Sequence, residues 1–113
     1  MTNLNISKKH WVGLALCAGL MTVPLAALAD ASGEISTAAQ HAQYSAQATS
    51  LKVAHAHLHH ALNCLVGPKG HGFDKKAADP CMGQGDGAIP DTTDAATKKS
   101  LEHIAAQTRA ALR

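Results

Sequence analysis

Aromatic side chains are nearly missing from this sequence, which has one Trp, one Tyr and one Phe in 113 residues. Trp11 falls in an N-terminal apolar stretch, so Tyr44 and Phe73 are the only aromatic rings left for a core after it. Alanine supplies much of the remaining apolar content and buries little area, which leaves a small chain short of the surface burial that offsets conformational entropy. Several catalytic signatures are absent as well. There is no Cys-x-x-Cys-His for covalent haem, no His-Glu-x-x-His, and no serine in a nucleophile elbow. The spaced glycines after Gly67 follow no strand and open no helix, so they do not form a nucleotide-phosphate cradle, and only Asp86 lies in the glycine run, too little for a calcium loop. An enzyme is not expected.

No acidic residue precedes Asp30. Lys8, Lys9 and His10 close a short basic region, an apolar run from Trp11 to Leu28 follows, and Ala27-Leu28-Ala29 offers a small-x-small cleavage site. This pattern predicts a secretory signal peptide over residues 1–29, with Asp30 as the new N-terminus and the periplasm or the exterior as destination. Pro24 argues against a continuous membrane anchor, and Leu16 is too large for Cys17 to head a lipoprotein box. The product is a single small domain, residues 30–113, with no stable membrane insertion. Without Lys8 and Lys9, eight basic residues face eight acidic ones, so the basic patch of a nucleic-acid binder is lacking. Two cysteines remain, Cys64 and Cys81, and an oxidising compartment predicts that they pair. Closing that loop contributes about 3 kcal/mol in the chain-entropy description.

What the sequence has in quantity is helix. Tyr44, Leu51, Leu58 and Leu65 recur every seven residues, with Ala54, Ala61 and Leu62 beside them, predicting one amphipathic helix over about 36–66 that ends at Gly67-Pro68. Residues 30–36 are read as a loose tail or an extra turn. A second helix is predicted over about 92–112, capped from Asp91, Thr92 or Thr93, with Leu101, Ile104, Ala105, Thr108 and Leu112 on its apolar face. The connection, residues 67–91, is rich in glycine and proline and shows no strand. The expected fold is all-α: a helical hairpin stapled by Cys64–Cys81, with dimerisation into a four-helix bundle as one way to enlarge a thin core.

The other abundance is histidine. His55, His57, His59 and His60 put four imidazoles into six residues, and imidazole is the commonest protein ligand for transition metals. On a helix, His55 and His59 share one flank of the leucine stripe while His57 and His60 lie on the outward side with Cys64. Each pair has the spacing at which two rings reach one ion. His41 shares the His55 flank but lies 14 residues away, about 21 Å along a continuous helix, and is not expected to complete that site within one chain. Two imidazoles leave a site incomplete. Zinc takes four ligands and copper(II) favours a square of nitrogen and oxygen. The missing ligands can come from the connection (His71, Asp74, Asp79 or Met82), from water, or from a second subunit. His103 is expected to face solvent.

With its leader, helical pattern and histidine cluster, the chain resembles the small periplasmic histidine-rich metal-binding proteins of Gram-negative bacteria. The resemblance rests on residues 36–66 and implies a helical protein that binds copper, nickel or zinc and buffers metal. Those proteins repeat histidines through several helices. Here the second helix carries only His103, and the cysteine pair and glycine-rich connection fall outside that pattern. The expected function is metal binding or buffering by the histidine cluster. The alternatives are an acid-responsive structural or chaperone-like helical module, and an accessory partner of an envelope complex.

Overall fold

The computed structural model describes residues 25–113, with side chains from Ala31 onward; the expected leader lies outside the described side chains, and residues 1–24 lie outside the described residues altogether. Among the described residues all regular structure is helical, in four elements: α1 (Leu25–Ala46), α2 (Leu51–Val66), α3 (Ala88–Asp91) and α4 (Ala95–Ala111). The all-α, disulfide-stapled hairpin therefore holds, but its bend comes earlier than expected. The single helix predicted over 36–66 is two helices, α1 and α2, packed side by side. Residues 31–36 are helical, and the connection contains the short α3.

The break falls at Gln47-Ala48-Thr49-Ser50. Ala48 N–H donates to the Ser45 carbonyl at 3.2 Å, and Ser50 caps α2, its hydroxyl accepting from Val53 N–H at 3.3 Å. Serine in extended backbone is a favoured N-cap. The seven-residue repeat ran straight across this cap, and its first two members pay for that in exposure. Tyr44 is 42% and Leu51 71% exposed, whereas Leu65 is buried. The stripe does not act as one face, because the chain reverses between its first member and its second.

The core lies toward the other end of the hairpin. Ala38 of α1, Leu62, Cys64, Leu65 and Val66 of α2, Cys81, Ala88 of α3, and Leu101 and Ala105 of α4 form one buried cluster, with Ile35, Phe73, Ile89 and Leu112 packed against it. Phe73 thus covers the core from the connection. Helix α4 is capped by Asp94, three residues past Asp91: its carboxylate accepts from Thr97 N–H at 2.7 Å, and this bonding lowers its pKa. Asp91 ends α3 instead and accepts from Asp86 N–H at 2.8 Å.

Several contacts hold the connection down. Cys64 and Cys81 form the expected disulfide. Asn63, 1% exposed, accepts from Asp74 N–H at 2.8 Å and donates to the carbonyls of Asp74 at 3.0 Å and Ala78 at 3.2 Å. Gly67 and Gly87 bring two backbone segments into direct contact. A Cβ on Gly67 would lie 1.7 Å from the Asp86 carbonyl oxygen, and one on Gly87 would lie 2.6 Å from Gly67 N. Both glycines have positive φ, so side chains are disfavoured there on two counts. Glu34 joins α1 to this region, its Oε1 accepting from Gly87 N–H at 2.9 Å.

Asn63 offers a direct test of how the connection is ordered. Replacing it with alanine strips partners from three backbone groups, at a cost of roughly 1–3 kcal/mol for each buried group left unpaired. The expected result for N63A, with the disulfide intact, is a loss of at least about 2 kcal/mol in urea unfolding monitored by helicity. A variant as stable as the parent would show that the connection does not depend on this side chain.

Candidate metal centre

The bend determines which histidines meet. Across it, Ser45 Oγ donates to the Ala54 carbonyl at 2.9 Å, which sets the register of α1 against α2. His41 lies four residues before Ser45 and His57 three residues after Ala54, about one helical turn from that contact on each side. His60, one turn further along α2, shares the face of His57. The three rings accordingly converge from two helices. His41 Nδ1 is 3.1 Å from His57 Nδ1 and 3.3 Å from His60 Nδ1, and one nitrogen from each ring lies within 4.8 Å of the other two. The ring centroids form a nearly equilateral triangle of 5.3 Å (His41–His57), 5.0 Å (His41–His60) and 5.6 Å (His57–His60).

This is a group that can hold a metal ion. Neutral imidazole has one N–H and one lone pair, so three nitrogens this close cannot all point hydrogens inward. Whichever Nδ1 carries a hydrogen, the others offer lone pairs to the same small volume, which suits a shared proton or a cation. Tyr44 flanks the group, its ring 5.7 Å from that of His41 and 5.3 Å from that of His57, with its hydroxyl accepting from Gln40 Nε2 at 2.8 Å.

Electrostatics favour the neutral rings. Partial burial lowers the pKa of His41, and the neighbouring His60 and His57 lower it further. Burial likewise lowers that of His60, helped by His57 and His59. In each case desolvation is the larger cause and repulsion between imidazolium charges the smaller one.

The predicted site residues divide accordingly. The His57/His60 pair survives, on the same face as expected. His41, set aside on the argument that it lay far along one helix, is the third member: the reversal at 47–50 removes that distance. Among the described residues, the three-ligand group does not include His55 or His59. His55 is partly exposed on α2. His59 turns toward the connection, with Nδ1 buried and 3.4 Å from Asp74 Oδ2. His71 is exposed, its carbonyl accepting from Arg109 at 3.3 Å, and Met82 is 80% exposed. His103 is exposed on α4, as expected. The signal that could have recovered His41 was Thr49-Ser50, the one pair of adjacent hydroxyl residues between Gln47 and the end of the histidine run and a natural helix start.

No protein-family model matches this chain, and no curated protein or solved structure shows significant similarity to it. Its chemistry is therefore read from its own residues.

The lowered proton affinities have a definite sign. The unfolded chain protonates His41 and His60 near pH 6.5 while the folded chain resists, so stability is full above that pH and falls as pH drops toward the folded values. In metal-free protein, the His41 and His60 ring signals in NMR are expected to titrate with midpoints below 6.5. Midpoints at or above that value would contradict the packing described.

Proposed function

We propose that this protein is an exported metal-binding or metal-buffering protein, acting in the periplasm without catalysis, and that His41, His57 and His60 hold its ion. The observation that carries this reading is the convergence of three imidazole nitrogens from two helices at 3.1 and 3.3 Å. Three ligands from side chains on rigid helices, with partly exposed rings, suit reversible retention of copper, nickel or zinc better than permanent burial. The leader-like N-terminus and the histidine-rich composition support the same reading, as does the resemblance to small periplasmic metal-binding proteins. Among the described residues no helix is long and apolar enough to cross a membrane.

A second reading, an acid-responsive helical module, draws support from the mutual repulsion among His41, His57 and His60 on protonation. It needs no metal. Sedimentation of metal-free protein at pH 7.5 and pH 5 separates the two, since a change of assembly on acidification belongs to the second reading alone.

Metal binding is tested by titration calorimetry of the purified protein with zinc, copper(II) and nickel. One equivalent of at least one of these ions is expected to bind with micromolar affinity or better, and H41A, H57A and H60A are each expected to weaken it at least tenfold. H103A and M82A are expected to leave it unchanged. Bound ion at a hundredfold excess over its Kd adds about 2.7 kcal/mol of stability, visible as a raised thermal midpoint. Equal heats from the parent and all three histidine variants would end the proposal.

A further inference from the structure

Resting on the metal reading of His41, His57 and His60, we infer that the site selects ions of tetrahedral preference, zinc(II) above all, over square-planar copper(II) or nickel(II), and leaves a fourth position open to exchangeable ligands. The triangle of rings carries this selectivity. Three nitrogens at tetrahedral angles, each about 2.05 Å from zinc, lie about 3.3 Å apart, against 3.1 and 3.3 Å between His41 and its two partners. With rings aligned on their metal bonds, tetrahedral ligation sets centroids about 5.2 Å apart, within the observed range of 5.0 to 5.6 Å.

A square arrangement matches the ring centroids less well. At bonds of about 2.0 Å it needs adjacent nitrogens about 2.8 Å apart and, among any three ligands, one opposed pair with centroids about 6.3 Å apart beside adjacent pairs at about 4.5 Å. No pair of the three rings is that close or that far apart. The near-equal centroid sides favour three rings splayed about one axis, with the His57–His60 nitrogen edge bounded at 4.8 Å.

The ligand types narrow the choice among tetrahedral ions. Copper(I) is favoured by thiolate and thioether. Here Cys64 is locked in its disulfide with Cys81, and Met82 is largely exposed on the connection. An all-imidazole triad suits zinc. Because α1 and α2 supply three ligands, the fourth corner of the tetrahedron falls to water or to a small donor from solution, which is the arrangement of an open rather than a closed zinc site. An ion held this way can be passed on by ligand exchange at that corner.

Cobalt(II) reports the geometry directly. The full chain loaded with one equivalent of cobalt is expected to show the intense visible bands of tetrahedral cobalt, and zinc is expected to displace it at one equivalent. Azide is expected to shift the bands by taking the fourth position. H41A, H57A and H60A should reduce the bands at least tenfold, whereas H55A should retain them, with helicity confirming that each variant folds. A weak octahedral cobalt spectrum, together with tight tetragonal copper(II) binding in electron paramagnetic resonance, would overturn the selectivity while leaving metal binding intact. Tetrahedral bands indifferent to azide would overturn the open position. Binding of none of these ions would overturn the metal reading itself.

Discussion

The reversal of the chain at Gln47–Ser50 is the constraint on which the rest depends. Ser50 starts a new helix where alanine-rich sequence would otherwise have carried the old one on, and the Ser45–Ala54 contact fixes how α1 lies along α2. Two consequences follow from that register. Toward the loop it sets His41 against His57 and His60. Away from the loop it sets Ile35 and Ala38 against the buried end of α2, where Leu62 and Leu65 join the core. A slip of one residue would turn His41 by about 100° off the shared face and would misplace Ala38 as well. Site and core are thus registered by the same packing, although no side chain belongs to both.

How much of this was legible depends on whether a feature is local. Spacing alone determines that His57 and His60 share a helix face, and they do. Cys64 and Cys81 pair as a thin core with two cysteines leads one to expect, and Gly67-Pro68 ends α2 where glycine and proline must. His41 is different. Its partnership depends on where the chain bends, and the seven-residue spacing of Tyr44, Leu51, Leu58 and Leu65 masked the bend by continuing across it. Periodicity records which residues are apolar, and it cannot tell one long helix from two helices of matched phase. The choice of Asp94 over Asp91 as the cap of α4 was equally hidden, since both can cap and only the presence of α3 assigns Asp91 elsewhere.

Polar residues do much of the organising in a molecule with so few large apolar groups. Asn63 sits at the buried end of α2 and satisfies three backbone groups of the connection. Glu34 reaches from α1 to the start of α3. The Gly67–Gly87 crossing allows the two backbones to touch where any side chain would force them apart. These are directional contacts, and they define a single arrangement for residues 67–91 that hydrophobic burial alone would leave underdetermined.

On α2 the disulfide lies one turn beyond the histidine triad, His60 preceding Cys64 by four residues, and this proximity has a mechanical meaning. The covalent link secures α2 to the connection, while toward the loop α1 and α2 are joined by the Ser45–Ala54 hydrogen bond and the close approach of His41 to His57 and His60. A cross-link that near braces the α2 half of the triad and leaves the α1 half, His41, held in place by packing and hydrogen bonding alone.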